Sequence, residues 1–473
     1  MEWDVLFPLI QNQGLQIFWQ TLGYGAIISL ASTLFGFTWG WICARYDFPG
    51  RRWIMWLLPA PIAVPVYIYA FIYLSLWQEF VSYEKPHWLF LMLFCFSTYP
   101  YAFLLSTVAF QKKPKSLEEY TRILGFQRKQ FWKILQWPLT KPLFFSSCLV
   151  IGFEYFSDFG ASQIFGVQTL STVIYKVWNA YYSLPTASLL AFLLMMVVFG
   201  LLFLDSRRQE YSFPSEPVQR EMAPHPQLIF IAGLITVTFA FLIPFASLVY
   251  LGIQEISTFK NHDALWKALQ NSLLLSLTFS FSVVIAMSLL IFLFKRNDPR
   301  LRWLRLFTQF GYAVPGTALA VAVTIPFFYL QRYLDGFSRS TLTALFLMFL
   351  AWLIRFFKVG WDSIDKSRFQ FAESLEEIGQ LYESRPLFRW FRFQLPMVSS
   401  AMGVSFLLLF LETMKELPVV LLTRPFGWDT LSVKFFEFSS ESDWAKAAPY
   451  GLLIVIFGML GNLILVRKDP PSC

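Results

Sequence analysis

Charge is what this sequence has least of. Asp, Glu, Lys and Arg make up 14% of its 473 residues, against 56% hydrophobic side chains. A soluble domain carries about 25% charged residues. An interior this oily needs a polar skin that the chain does not have, which argues against a large soluble protein. Histidine is scarcer still, with three residues. Cys43, Cys95, Cys148 and Cys473 have no paired or metal-type spacing, and three of them sit in apolar runs where cysteine acts as a small hydrophobe. There is no Gly-x4-Gly-Lys-Ser/Thr stretch to cradle a phosphate, and no nucleophile elbow or Rossmann turn. Neither catalysis by this chain nor a cofactor bound to it is expected. No Lys or Arg precedes Arg45, so the N-terminal stretch lacks the basic start of a signal peptide.

What the chain does have is long apolar runs. A membrane-spanning helix needs about 20 mostly apolar residues. Eleven stretches qualify: 16–43, 53–77, 87–110, 143–164, 184–205, 228–251, 270–294, 306–330, 340–357, 397–420 and 449–466. The expected fold is an all-α polytopic membrane protein. In a soluble protein the net charge of +8 would suggest nucleic acid, but here it reflects basic loops beside the lipid bilayer, so no nucleic-acid partner is expected. With the N-terminus outside, most Lys and Arg fall in inside segments: 44–52, 111–142, 206–227, 295–305, 355–396 and 467–468. The positive-inside rule therefore gives N-out, C-in.

The second half of the chain echoes the first. AVPVYIYAF (63–71) matches AVPGTALAV (313–321), and FWQTLGYGAIISL (18–30) resembles LWKALQNSLLLSL (265–277). One offset carries Pro138 to Pro396, Glu154 to Glu412 and Asp158 to Glu416. GVQTLSTVIYKVW (166–178) then matches GWDTLSVKFFEF (427–438) after a three-residue slip. Shared hydrophobicity explains Leu against Leu, but not polar and proline landmarks in register. The expectation is two five-helix units, 14–205 and 266–466. Residues 206–265 join them through a basic cytoplasmic loop, a linking helix at 228–251 and an external segment. Five is odd, so the linking helix restores parity and both units share one orientation, a parallel repeat about an axis along the membrane normal.

The charged segments 111–142 and 358–396 occupy the same point in each unit. Ser116 with Glu119 three residues on is a capping-box pattern for a helix start, Gly125 interrupts the helix, and Pro138 ends the segment. In the twin, Glu373 precedes Gly379 by the same spacing, and FQLP ends at Pro396 as LQWP ends at Pro138. These landmarks resemble the EAA loop of type I ABC importer permeases, whose form is EAA-x3-G-x9-I-x-LP. Tyr120 and Thr121 replace the alanines in the first copy, and Ser374 and Leu375 in the second. Trp137 replaces Leu, and the stretch from Gly379 to Pro396 is four residues longer than the family pattern.

The resemblance implies the fused membrane subunit of an importer in a bacterial inner membrane. Its two loops would each seat in one of two copies of a separate ATPase, which would bind ATP and magnesium. Glu119, Gly125, Pro138, Glu373, Gly379 and Pro396 would be the ATPase-coupling residues. A solute-binding protein outside the cytoplasm would deliver the cargo. The double loop, ARYDFPGRR (44–52) and LETMKELPVVLLTRPFGWDTLSVKFFEFSSE (411–441) look most like the ferric-iron branch. Import of thiamine or another small solute is the alternative, and a secondary transporter or channel is a more distant one.

Glu154, Asp158, Glu412 and Glu416 are acids inside expected spans. Each pair is spaced i, i+4 and would share a helix face. At 1.5 Å per residue, Glu154 lies about 24 Å along the helix from Pro138, in the middle to outer membrane. An ionisable side chain there is costly and faces a cavity or a partner. Two readings stand. The acids line the path of a cation, for which carboxylates are hard oxygen ligands, or they bond to neighbours such as Lys415 and cap a broken helix around Pro418. No metal site is assigned. Pro59, Pro61, Pro65 and Pro315 read either as kinks that open a path or as distortions held by neighbouring helices.

Overall fold

The computed structural model describes residues 14–81, 84–111, 130, 132–206, 220–258, 262–294, 311–330, 341–370, 385, 388 and 390–468. Among these residues helix dominates. In the first half, α1 (Leu15–Arg45) leads to α2 (Arg51–Leu57), a 3-10 turn at Ala60–Ala63 and α3 (Val66–Phe80). The arms on either side of Pro65 meet at 95°. Proline causes this break. Pro59, Pro61 and Pro65 have no N–H to give a helix, and Val64, directly before Pro65, is pushed into extended backbone. Next come α4 (His87–Gln111), α5 (Trp137–Ser157), α6 (Gly160–Phe165), α7 (Leu170–Asn179) and α8 (Leu184–Ser206).

A linking span follows, made of α9 (Pro226–Val237), one π-helical turn at Thr238–Leu242, and α10 (Ile243–Thr258). The bulge sits just before Pro244, whose missing N–H the wider turn accommodates. The second half holds α11 (His262–Leu293), α12 (Gly316–Leu330), α13 (Thr341–Gln370) and α14 (Leu395–Met414). It ends with α15 (Pro418–Thr423), α16 (Leu431–Ser440) and α17 (Trp444–Lys468).

Among the described residues eight helices are long and apolar enough to cross a membrane, or nine with the bent pair as one span. The other two of the eleven expected stretches correspond to α5, which falls outside that set, and to α12, a shorter apolar helix. Two expected spans also end early. The stretch 143–164 divides into α5 and α6, and 397–420 divides into α14 and α15.

The two halves repeat in backbone detail. A π-helical turn precedes both α5 (Trp132–Gln136) and α14 (Trp390–Gln394). Thr169 and Thr430 cap α7 and α16, each accepting from a backbone N–H three residues on. The glycine three residues before each cap, Gly166 and Gly427, has φ of +72° and +81°, a left-handed turn that glycine makes without strain. Tyr182 and Ser442, just after α7 and α16, also take positive φ.

Close packing comes from small residues. Gly36 and Gly40 lie one turn apart on α1. A Cβ on Gly36 would sit 2.5 Å from the Tyr99 carbonyl oxygen, and one on Gly40 would sit 1.9 Å from Ser106 Oγ. Backbone contact of this kind is how helices associate in lipid, where burying apolar surface gains nothing. Thr98 donates to Ser32 across the same α1–α4 seam at 3.0 Å. The halves interlock: α8 packs on α12 of the second half, while α17 packs on the Ala60–Ala63 turn and α3 of the first.

Apolar stripes remain outside this core. Leu189, Phe192, Leu193, Met196, Phe199 and Phe203 form one along α8, and Leu274, Leu277, Phe281, Ile285, Leu289 and Leu293 form another along α11. In water such stripes would aggregate, but against acyl chains they cost nothing. Exposed Trp19, Trp88 and Trp266 sit near helix starts, as do Trp53 and Trp137, where an amphipathic ring suits the lipid headgroup level. Tyr46–Asp47 (β1) pairs in parallel with Glu221–Met222 (β2), and Arg45 meets Glu221 at 3.6 Å. The end of α1 and the start of α9 therefore lie on one side of the molecule.

Candidate translocation site

Where the halves meet there is a cavity of about 110 Å³. The ends of α5 and α14, the proline-broken starts of α3 and α12, and the interiors of α4 and α13 form its wall. All four sequence-predicted acids line it, with Arg355 and Lys415 as the cations and Tyr67, Tyr101 and Tyr312 among the aromatics. Short helices hold the broken segments in place: α6 packs on α3, and α15 packs on α12.

The acids have different partners. Asp158 lies just past the end of α5 in extended backbone and caps α6. Its Oδ1 accepts from Ala161 N at 3.2 Å, and its Oδ2 accepts from Ser162 N and Ser162 Oγ, each at 2.9 Å. Glu416, 5% exposed, does the same for α15. Its Oε1 accepts from Val419 N at 3.0 Å, and its Oε2 accepts from Val420 N at 3.2 Å and Trp352 Nε1 at 3.4 Å. Helix-start N–H groups have no partner within their own helix, and a carboxylate satisfies them and suits the positive end of the dipole. Glu412 pairs with Lys415 Nζ at 2.9 Å. Glu154 accepts from Tyr312 Oη at 2.8 Å, and Tyr101 lines the same cavity wall.

The expectation that each acid pair shares one helix face is therefore corrected. Glu154 and Glu412 are helical, but Asp158 and Glu416 lie beyond the helix ends. The chain breaks there because the carboxylate binds the N–H groups of the next helix. In the second copy Pro418 adds a residue with no N–H of its own. Arg355, counted with the basic segment 355–396, is not in a loop. It stands on α13 in the cavity wall, its guanidinium filling the space against Gly316 and its charge facing Glu416. Its Nε and Nη1 are buried with no hydrogen-bond partner among the described residues.

Two tyrosines bond from one half to the other. Tyr67 of α3 donates to the Lys415 carbonyl at 3.1 Å, and Tyr312, just before α12, donates to Glu154. Sequence reasoning missed them because a tyrosine in an apolar run looks like an interfacial aromatic. Arg355 had left a signal, a lone cation at the end of an apolar run. Pro138 and Pro396 are exposed in the first turns of α5 and α14. Glu119, Gly125, Glu373 and Gly379 lie outside the described residues. Among the described residues no group of three or more His, Cys, Asp or Glu could hold a metal ion.

A bundle of apolar helices around a polar cavity is the architecture of a membrane permease. Residues 36–209 match the family described as the binding-protein-dependent transport system inner membrane component. The chain is a multi-pass permease of the binding-protein-dependent ABC importer class in a bacterial inner membrane, and such permeases work with an ATPase and a substrate-binding protein. At the level of single proteins, it is similar to the Fe(3+)-transport system permease protein FbpB 2 of Haemophilus influenzae. The two are 25% identical over 462 residues, covering 93% of this chain and 88% of that protein.

Proposed function

We propose that this permease carries ferric iron across the inner membrane through the cavity between its halves. The two units, 14–205 and 266–466, rock against each other, N-out and C-in. Two copies of a separate ATPase, holding ATP and magnesium, drive the motion through the loops 111–142 and 358–396. The observation that carries this reading is the meeting of the twin segments Glu154–Asp158 and Glu412–Glu416 at one cavity. Four carboxylates against two cations leave its wall acidic, which favours a cationic cargo over a neutral one. The named relative supports iron in particular.

The test is uptake of labelled ferric iron into vesicles holding the permease and its ATPase, with and without ATP and the binding protein. Uptake is expected only with both. Uptake that ignores ATP and follows an ion gradient would point to a secondary transporter, and uptake of thiamine in place of iron would change the cargo.

A further inference from the structure

We propose that Glu154, Tyr101 and Tyr312 form an all-oxygen site for a trivalent cation in transit. The identity of the cargo rests on the importer reading above. The site rests on which groups in the cavity are already engaged. Asp158 and Glu416 are held by backbone N–H groups, and Glu412 by Lys415. Glu154 has the Tyr312 hydroxyl of the second half as its hydrogen-bond partner, and Tyr101 of the first half lines the same cavity. Carboxylates and phenolates are hard oxygen donors of the kind hard cations take.

Charge decides which ion fits. One carboxylate and two phenolates carry three negative charges. A trivalent ion accepts a lone pair from each oxygen, two O–H bonds break, and two protons leave to cavity water. The resulting cluster is neutral. A divalent ion balances with one phenol still protonated and a monovalent ion with both, and a neutral phenol is a weaker donor than a phenolate, so only a trivalent ion draws on all three anionic oxygens. The cavity, at about 110 Å³, has room for an ion and a few waters, each of which occupies about 30 Å³ in the liquid. Release follows when the phenols take protons back and Tyr312 returns to Glu154. Because Tyr312 belongs to the second half while Glu154 and Tyr101 belong to the first, movement between the halves dismantles the site.

The experiment uses the full chain in lipid nanodiscs, titrated with ferric nitrilotriacetate. A phenolate-to-iron charge-transfer band in the visible is expected. Gallium(III) should compete with the iron, and magnesium and zinc should not. Tyr101→Phe and Tyr312→Phe should each weaken the band, and the double variant should abolish it. Glu154→Gln should weaken binding about tenfold or more, with partial recovery in Glu154→Asp. Resonance Raman excitation within the band should show tyrosinate modes in the unaltered chain, whatever the variants do to folding. No band, a band without tyrosinate modes, or a band that survives the double variant overturns the site. ATP-driven iron uptake by the same preparation judges the importer reading separately. Uptake without the band sinks the site alone, and a tyrosine-dependent band without uptake sinks the importer reading alone.

Discussion

Asp158 and Glu416 take up backbone N–H groups that would otherwise point unsatisfied into a membrane interior. Replacing either with Ala is expected to cost about 1–2 kcal/mol, as loss of a helix cap does. Thermal melting of the purified permease should fall for both variants. Lys415→Met should destabilise more than the Glu412→Gln/Lys415→Met double, because the single variant leaves a carboxylate alone in the cavity wall. Both side chains are about a quarter exposed, so the single loss should stay below the ~3–5 kcal/mol of a fully buried pair. A double-mutant cycle measures this coupling. The acids themselves were legible in the sequence, because polar residues in register stand out against apolar ones. Their separate tasks were not. A need for caps exists only where a helix breaks, and at Ser157 no proline announces the break.

At the scale of elements, the repeated Thr-Leu-Ser starts of α7 and α16 carry matching caps, and Thr169→Ala or Thr430→Ala should each cost about 1 kcal/mol. Gly40→Val should be worse than the ~1–3 kcal/mol of ordinary overpacking, since the added atoms meet Ser106 and the backbone N of Thr107. Lower yield and a lower melting temperature would register the damage. The prolines of the bent pair were legible but not the 95° break, because 53–77 reads as one apolar span. The Gly36–Gly40 contact was present in the sequence as small residues one turn apart, but such a pair names no partner helix until α4 is seen beside it. The division of 143–164 and 397–420 into long and short helices was hidden, since α6 and α15 are as apolar as the spans they follow.

For the whole molecule, the interlock of α8 with α12, and of α17 with α3, ties the halves together without the linker. A chain cut within residues 207–219 and co-expressed as two pieces should reassemble in the membrane, with the pieces co-purifying and supporting uptake. Failure of the pieces to associate would count against two units of independent design. Composition made the all-helical membrane fold legible, and register made the matching landmarks of the two halves legible. The interlock was not legible, because one lipid-compatible helix face looks like another and only the folded packing selects its partner.

In the proposed route cargo crosses at the cavity between the halves, with Glu154 as its cargo-facing carboxylate. ATP-dependent uptake of labelled ferric iron by the Glu154→Gln permease, assembled with its ATPase and binding protein, tests this most directly. The initial rate is predicted to fall at least about tenfold below that of the unaltered permease, since loss of even an outer-shell partner of a metal costs that much, with the complex still assembled. A rate equal to that of the unaltered permease would contradict it.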